Sequence, residues 1–475
     1  MGSINTNVSA LIAQTGLAAS QSQLQTSLQR LSTGLKINSG ADDPAGLIVS
    51  NELQSQIAGI NQAVSNSTQA NNVIATAEGA LTEVSSLLLN IKSLVVEAAN
   101  TGAESSSQIS ADQLQIDSAV QSITRIANST NFAGQNLIDG SLNYITSGVN
   151  TGSIKALEIS QADLGTQKSI PVNINVITSA QPAQLEFATS QIGNSVTLDI
   201  GGVNGTQTLS FASGTAASAV IFAVNRVSDS TGVSAAAINP ANLQSGIVFQ
   251  SASYGSSNFV SVTAQTGVFN TTDVNGNNKQ RTTGRDAVAT VNGAVTVGDG
   301  DNLQVNTSSL DLNFTLAKTF GEGTTNFAIT GGGATFQLGA QVLSDQQVSI
   351  GIGSVSADQL GNHDVGFLSD LVTGGTASLV GGNSEAASQI IEAAIAQVSE
   401  LSGRLGAFQK NTLNTNVDSL NVALENVTSS ESNIEDANFA SETSNLTRAQ
   451  ILVQAGTSVL ATANSTPQAV LKLLS

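Results

Sequence analysis

The chain has 475 residues, a formal net charge of −19, one His, no Cys and no Trp. Only 10% of the residues are charged and 3% are aromatic, so the side chains that usually perform catalysis are scarce and we expect no enzyme. Nucleic acid is disfavoured as a partner because binding a phosphate backbone requires a clustered basic surface.

The N-terminal segment lacks the features of a cleaved secretory signal. Met1–Asn7 has neither a basic region nor an apolar stretch ending in a small-residue cleavage site. The most apolar local run, Leu87–Val96, includes polar residues and is far shorter than the ~20 apolar residues of a membrane span. We therefore expect neither Sec-type export nor insertion into a membrane.

The first helical pattern lies near the N-terminus. Leu24, Leu28, Leu31 and Leu35 follow one another at intervals of four, three and four, which is the seam of a coiled-coil helix. The pattern extends to about Asn38. Asp42-Asp43-Pro44 then predicts a new helix, with an Asp as N-cap and Pro in the first turn.

A longer seam follows in the next helix. Its apolar positions keep the three-four alternation without a slip: Ile74, Ala77, Leu81, Val84, Leu88, Ile91 and Val95. We expect this helix to end near Asn100–Gly102. Ser110 and Gln113 have the spacing of a capping box and predict the start of a third helix.

The region from roughly 141 to 375 has the pattern of β-strands. Eleven of the fourteen Phe lie here, and apolar residues alternate in several segments. Asn204-Gly205, Asn275-Gly276 and Asn292-Gly293 predict hairpin turns.

Helical seams return at the C-terminal end. One contains Leu413, Val417, Leu420, Leu424 and Val427, and the last contains Leu446, Ala449, Val453, Gly456 and Leu460. An isolated amphipathic helix is marginal in water, so these apolar stripes must pack against each other or against neighbouring subunits.

Chemistry-bearing clusters are weak throughout the sequence. His363 lies in a polar turn with no pattern of a nucleophile and base around it. Asp273–Asn277 and Asp299–Asp301 resemble oxygen-ligand loops but lack the spacing and final Glu of a calcium hand, so we interpret them as turns. We expect no catalytic, cofactor or metal site.

Two long segments resemble a known family. Leu28–Leu53, LQRLSTGLKINSGADDPAGLIVSNEL, resembles the N-terminal signature of bacterial flagellins, and Asn433–Asn464 resembles the C-terminal signature. Gly403–Gln409, GRLGAFQ, is similar to the element that precedes the latter. The resemblance is dense over residues 1–160 and 385–475.

The resemblance implies an α+β multidomain fold in which N- and C-terminal helices pair into a coiled-coil core and the centre forms β-rich outer domains. Residues 1–41 plus 435–475 would form the inner-tube coiled coil. Residues 42–160 plus 385–434 would form a helical shell with a β-hairpin. Residues 161–384 would form the variable outer part, as two domains.

The implied function is a non-enzymatic subunit that polymerises into the flagellar filament by heterologous contacts. The expected assembly residues of the inner coiled coil are Leu24, Leu28, Leu31, Leu35, Leu446, Val453 and Leu460. Those expected in the shell are Leu81, Val84, Leu88, Leu420 and Leu424.

The resemblance also implies partners and a location. The expected partners are further copies of the chain, an export chaperone at the C-terminal helices, and filament cap and hook–filament junction proteins. The expected location is the extracellular flagellum, reached through the flagellar type III apparatus without a cleaved signal.

One family feature is incomplete in this sequence. Flagellins that an innate immune receptor detects carry an Arg-x-Arg-Glu-Leu type of face on the long N-terminal helix. The matching positions are Asn90, Lys92, Ser93 and Leu94, so the first Arg and the Glu are missing. We expect weak or absent receptor activation.

Three alternatives bear on the function. A hook–filament junction protein shares the N-terminal signature but has a shorter chain and weaker terminal signatures. A metalloprotease in the outer region is excluded because His-Glu-x-x-His requires two His. Outer domains that bind surfaces or glycans would be compatible with filament formation.

Overall fold

The computed structural model describes residues 6–165, 167–307 and 309–474, and the chain divides into two compact units. The terminal unit comprises Met1–Ala70, Gln337–Gln346 and Lys410–Ser475, and the central unit comprises Asn71–Phe336 and Gln347–Gln409. Residues 1–5 and 475 of the predicted inner-tube domain lie outside the described residues. The domain boundaries expected from the sequence remain a prediction.

Long helices occupy both ends of the described chain. The α-helices are α1 Val8–Thr33, α2 Pro44–Ala98, α3 Ser106–Ser129, α4 Ala217–Asn225, α5 Ser228–Thr231, α6 Ser384–Phe408, α7 Thr415–Glu435 and α8 Phe439–Leu474. A π-helical segment, Gln409–Asn414, lies between α6 and α7, and short 3₁₀ turns occupy Ser344–Gln346, Leu368–Leu371 and Leu379–Gly381.

Strands fill the centre of the chain. They are β1 Asn131–Phe132, β2 Gln135–Asn136, β3 Tyr144–Ser147, β4 Ile154–Ala162, β5 Ile170–Thr178, β6 Pro182–Phe187, β7 Val196–Gly202, β8 Gly205–Phe211, β9 Val233–Asn239, β10 Asn242–Tyr254, β11 Phe259–Thr266, β12 Arg281–Thr283, β13 Val288–Val291, β14 Ala294–Val295, β15 Val297–Asp299, β16 Asn302–Asn306, β17 Leu310–Leu316, β18 Gly323–Gly332, β19 Ala334–Gln337, β20 Gln347–Ile350, β21 Gly361–Asn362 and β22 Gly366–Phe367. This arrangement confirms the α+β fold class.

The β-region of the central unit has two hydrophobic cores. In the first, the sheets β14-β13-β5-β18-β3 and β15-β16-β17-β4 bury residues such as Ile174 and Phe314. In the second, the sheets β6-β10-β9 and β12-β11-β7-β8 bury Ile200 and Phe249 together with Val220 of α4. Apolar residues alternate with more exposed ones along these strands, as expected where one face of a sheet packs on a core.

The junction between α1 and α2 follows from local chemistry. Gly34 ends α1 with a φ of +79°, a conformation that costs Gly little, and its N–H donates to the Arg30 carbonyl at 2.9 Å. Asp43 Oδ1 accepts from the Gly46 N–H at 2.9 Å, and Pro44 occupies the first turn of α2. The predicted restart of the helix at Asp43-Pro44 is therefore confirmed.

The capping box of α3 lies five residues before the predicted one. Ser105 and Gln108 form it, and α3 begins at Ser106. Ser110 instead donates its hydroxyl to the Ser106 carbonyl within the helix at 2.8 Å. The Gln113 side chain donates to the Leu371 carbonyl at 2.7 Å. The predicted pair was wrong because both side chains are used in other contacts.

The three predicted turns differ in outcome. Asn292 and Gly293 join β13 to β14 with φ of +50° and +89°, as the tight hairpin turn requires. Asn204 lies in the turn between β7 and β8. Asn275-Gly276 does not connect two strands of a sheet but belongs to a loop around Asp273.

By length and composition, α2 could cross a membrane, with a mean hydropathy of 1.3 over 18 residues, of which 33% are buried. Core helices share these properties, and α2 buries Ile74, Leu81 and Leu88 almost completely within the central unit. These buried residues favour a core helix, and the absence of a membrane partner remains a prediction.

Candidate assembly interface

The first and last helices pair in antiparallel fashion within the terminal unit. Near one end, Asn7 Nδ2 donates to the Ala463 carbonyl at 2.8 Å. Further along, Ser27 Oγ donates to Glu442 Oε1 at 2.7 Å. Beyond the end of α1, the Ala437 N–H donates to the Gly34 carbonyl at 2.8 Å. These contacts join segments more than 400 residues apart in sequence, so the two ends of the chain form one structure.

The inner face of α8 has a strict heptad pattern. Positions that are buried or half-buried follow one another at intervals of four and three, whereas the intervening residues are exposed. The inner face of α8 consists of Glu442, Leu446, Ala449, Val453, Gly456 and Leu460. The predicted residues Leu446, Val453 and Leu460 all lie on it.

The inner face of α1 is shifted from the predicted stripe. Its members are Ala13, Leu17, Ser20, Leu24, Ser27 and Leu31, again at intervals of three and four. Leu24 and Leu31 belong to it, but Leu28 is 50% exposed, and Leu35 lies past the helix end in a bridge with Asp436. The prediction that Leu28 and Leu35 belong to the same helical seam as Leu24 and Leu31 was therefore wrong. The reason is that small residues at positions 20 and 27 face α8 instead.

A polar cluster interrupts the apolar faces of this helix pair. Glu442 is only 7% exposed, and it accepts hydrogen bonds from Ser27 and, at 3.4 Å, from Asn445. The Arg30 guanidinium lies 3.9 Å from the Glu442 carboxylate. Sequence reasoning missed this cluster, although Ser27 and Glu442 occur at heptad positions where an apolar residue is usual.

A second buried carboxylate connects the start of α2 with the end of α7. The Glu435 carboxylate accepts from Ser50 Oγ and, at 2.9 Å, from Gln54 Nε2, and the Glu435 carbonyl accepts from the Lys36 N–H at 2.6 Å. Further along the same pair, Asn416 Nδ2 donates to Ser67 Oγ at 3.1 Å. The terminal unit therefore has polar contacts that fix which turn of each helix faces its partner.

The turn between α1 and α2 is held by Asp42. Asp42 Oδ2 accepts from the Ser39 N–H at 2.8 Å and from the Ser39 hydroxyl at 2.9 Å. The Ser39 side chain is the main reason that the pKa of Asp42 lies below its ordinary value. This carboxylate keeps the chain reversal between the two helices compact.

The predicted shell residues fall into two groups. Leu81, Val84 and Leu88 are at most 1% exposed, because they form the interior of the central unit. Their assignment to a contact between subunits is therefore corrected: the chain itself covers them. Leu420 and Leu424 are half-buried on α7, and their part in assembly remains a prediction.

The four positions that the sequence comparison matched to the receptor-binding face of other flagellins lie on α2. Asn90 and Ser93 are exposed, and Leu94 is buried. Lys92 forms an ion pair with Glu392 of α6, with 3.2 Å between Nζ and Oε1. The single basic residue at these positions is thus already engaged by an acidic side chain.

Both terminal helices retain exposed apolar side chains after they pair. On α1 these are Val8, Leu11, Ile12 and Leu28, and on α8 they are Phe439, Ile451, Leu452 and Val459. We call these eight residues the outer patch. On α8, Phe439, Ile451 and Leu452 line a shallow depression with Thr443, Thr447 and Arg448. So many exposed apolar side chains on two paired helices are candidates for burial against other molecules.

Two of the weak chemical candidates in the sequence, Asp273 and His363, make contacts within their own loops. Asp273 Oδ1 accepts from the N–H groups of Asn275 and Asn277, both at 2.9 Å, and Lys279 Nζ lies 3.0 Å from Oδ2. These contacts lower the pKa of Asp273 to about 2, with the Asn277 N–H as the largest cause. His363 packs edge-on against the Phe367 ring.

Comparisons with known proteins agree with the terminal signatures. The profile of the bacterial flagellin N-terminal helical region matches residues 4–143, that of the C-terminal helical region matches 388–474, and the flagellin hook IN motif matches 197–253. A flagellin of Salmonella muenchen is 31% identical over 526 aligned residues, covering 99% of each chain. The B-type flagellin of Pseudomonas aeruginosa is 30% identical, again over 99% of each chain.

Among solved structures, FliC from Burkholderia pseudomallei is similar to this chain with 19% identity and a TM-score of 0.24. The match covers 72% of this chain and 98% of that one.

Proposed function

The chain belongs to the bacterial flagellin family and is a structural subunit of the flagellar filament. We propose that subunits polymerise through the outer patch of α1 and α8. The inner faces of these helices are occupied by each other within one subunit. Among the described residues of the terminal unit, the outer patch has no such cover. It is the observation that carries the proposal.

The exposure of the outer patch supports contact with a second copy of the chain. Ile12 and Ile451 are 67% and 63% exposed, although burying a side chain of this size stabilises by roughly 1.5–3 kcal/mol. Eight such residues on two paired helices provide a large gain when they are covered. Packing between copies of the same helix pair removes them from water.

The outer patch is divided between two helices, an arrangement that permits an open polymer. The shallow depression on α8 is lined by Phe439 and Ile451, whereas the exposed residues Val8, Leu11 and Ile12 lie on α1. A contact in which one surface meets a different surface of the next copy is heterologous, and heterologous contacts propagate into rings or helices. A helical filament is the outcome that such contacts permit.

Leu420 and Leu424 extend the proposed interface to α7. Both are half-buried. Together with Val417 and Val427, which are half-buried as well, they form a stripe at intervals of three and four residues. This stripe is available for contact with a neighbour in a way that the buried residues Leu81, Val84 and Leu88 are not. We assign it to the shell around the inner tube.

The remaining partners follow from family membership. Association with filament cap and hook–filament junction proteins would use the terminal helices at the two ends of the filament. An export chaperone would cover α7 and α8 before assembly, because their apolar stripes attract other subunits prematurely. Export would proceed through the flagellar type III apparatus, without a cleaved signal, to the extracellular filament.

The experiment is a pair of substitutions in the outer patch. Leu28→Asp and Ile451→Asp introduce a carboxylate that assembly would bury without a partner, a change that costs several kcal/mol. Gln25→Asp and Gln454→Asp place the same charge on exposed polar positions of the same helices. Growth of filaments from fragments, followed by electron microscopy, should fail for the first pair and proceed for the controls.

One result would reject the proposal. Normal filaments from Leu28→Asp and Ile451→Asp would show that the outer patch remains in water after assembly. Unfolding of these variants would be detected by circular dichroism of the monomer. Because both side chains are exposed in the subunit, we expect unchanged helix content.

A further inference from the structure

An acidic cluster lies where α2 ends and α3 begins, in the central unit. Glu97 is in the last turn of α2, Glu104 is in the linker, and Asp112 is in α3. Their carboxylate oxygens lie within 4.8 Å of one another. Among the described residues, none of the three carboxylates forms an ion pair with a Lys or Arg.

Asp112 is the unusual member of this cluster. It is 7% exposed, and its Oδ2 is buried with no hydrogen-bond partner among the described residues. A buried carboxylate oxygen without a partner is expensive, and most such groups in proteins are paired or bind a metal ion. The next residue, Gln113, cannot serve Asp112: its amide nitrogen donates to Asp117 and Leu371, and its amide oxygen accepts from Ser378 and Leu379.

The end of α2 adds to the unfavourable negative charge at this cluster. The C-terminal end of a helix carries a partial negative charge, and α2 has no basic residue in its last turn. Glu97 adds a carboxylate at this end, and Glu104 and Asp112 add two more within a few ångströms. A bound cation would attract the helix end and all three carboxylates, and these attractions would offset the repulsion among them.

We propose that Glu97, Glu104 and Asp112 form a binding site for a calcium ion. The donors are all carboxylate oxygens, which hard cations prefer, and the cluster has no His or Cys to select zinc. Ca²⁺ binds oxygen at about 2.3–2.6 Å, so oxygens on opposite sides of the ion are about 4.6–5.2 Å apart. The observed spread of the three oxygens fits within that span, and water completes the six to eight ligands.

The local backbone holds the ligands in place before the ion binds. The Glu104 N–H donates to the Asn100 carbonyl at 3.0 Å, and the Asn100 N–H donates to the Glu97 carbonyl at 2.9 Å. The capping box of Ser105 and Gln108 fixes the start of α3, and with it the position of Asp112. The ion would therefore join the end of α2 to α3 across a short linker.

The test is calcium titration of the full-length, chelator-treated monomer by isothermal calorimetry in 0.1 M KCl. The expected dissociation constant is about 10⁻⁴–10⁻³ M, the range of extracellular calcium modules. At 10 mM CaCl₂ the melting temperature should rise by about 2 °C, because the ion binds the folded chain only. MgCl₂ should give a clearly weaker response.

Three variants test whether calcium binds at this cluster rather than elsewhere on the chain. Asp112→Asn and Glu97→Gln should each weaken calcium binding at least tenfold, whereas Glu83→Gln, an exposed acidic position on α2, should leave it unchanged. Without calcium, Asp112→Asn should melt at a higher temperature than the parent chain, because it removes a buried charge. Glu97 is exposed, so Glu97→Gln tests binding even if the Asp112 variant folds poorly.

The proposal is overturned if the parent chain shows neither binding heat nor a shift in melting temperature at 10 mM CaCl₂. It is equally overturned if Asp112→Asn and Glu97→Gln bind calcium as tightly as Glu83→Gln, since the ion would then be attracted by the overall negative charge. A response to MgCl₂ as large as that to CaCl₂ would contradict the calcium assignment.

Discussion

Ser27 and Glu442, which are 415 positions apart in the sequence, form a buried hydrogen bond of 2.7 Å between the first and last helices. Both occupy inner-face positions where an apolar side chain would pack without further cost. A polar pair at such a position fixes the register of a coiled coil at some expense of stability. The bond therefore specifies which turn of α1 meets which turn of α8.

Ser27→Ala tests this role directly. It leaves a buried oxygen of Glu442 without its donor, which costs about 1–3 kcal/mol. We expect the free energy of unfolding of the monomer to fall by about this amount, with Ser22→Ala as the exposed control on α1. In a double-mutant cycle with Glu442→Gln, the two effects should be coupled by at least 0.5 kcal/mol, about the threshold for residues in contact. Additive effects would mean that the two residues act independently.

Gly456 provides a second test of the helix pair. A Cβ at this position would lie 3.2 Å from Leu17 Cδ1, whereas a Cβ at Gly16 would meet no atom within 4 Å. Ala favours a helix over Gly by about 1 kcal/mol. Gly16→Ala should therefore raise the melting temperature of filaments, and Gly456→Ala should raise it less or lower it because Leu17 must shift. Equal gains at both positions would show that α1 and α8 do not approach closely at Gly456.

Acid should weaken the loop around Asp273. Its pKa is lowered from 3.8 to about 2, so the ionised form stabilises the fold above pH 3.8 and this contribution is lost as the pH falls toward 2. Asp273→Asn should be less stable than the parent chain at pH 6, and the difference should disappear between about pH 4 and pH 2. Thermal unfolding across this range measures it, with Asp229→Asn as control. A difference that is independent of pH would contradict the pKa shift.

The structure indicates which substitutions would test the prediction of weak immune-receptor activation. Asn90 and Ser93 are exposed, so Asn90→Arg and Ser93→Glu would restore the missing side chains without disturbing the core. We expect the parent chain to activate reporter cells weakly and the double variant to act at lower concentrations. Interface charges of this kind contribute ~2 kcal/mol or more when buried with a partner. A parent chain as potent as a strong activator would refute the expectation.

The sequence predicted the helical ends well because heptad spacing is a direct consequence of helix geometry. The predicted heptad positions of α8 lie on its inner face, because apolar or small residues occupy them. The predicted leucines of α1 do not share one face. Leu24 and Leu31 lie on the inner face, whereas Leu28 and Leu35, which follow each of them by four residues, do not. Choosing between them requires the partner helix, since Ser27 faces Glu442 rather than solvent.

Other features depended on contacts that a linear pattern does not contain. The capping box at Ser105 was missed because several Ser and Gln pairs nearby have the same spacing. Leu81, Val84 and Leu88 were assigned to a contact between subunits because periodicity identifies a buried face but not the chain that covers it. The acidic cluster around Asp112 was missed because its members are brought together by a helix end and a turn.

Assembly through the terminal helices is the central claim, and seeded growth tests it most directly. Full-length monomer is added to short filament fragments at raised salt, and the product is examined by negative-stain electron microscopy. We predict uniform tubes from the intact chain and none from residues 42–434, which lack α1 and α8. Uniform tubes from the shortened chain, or none from the intact chain under several salt conditions, would contradict the account.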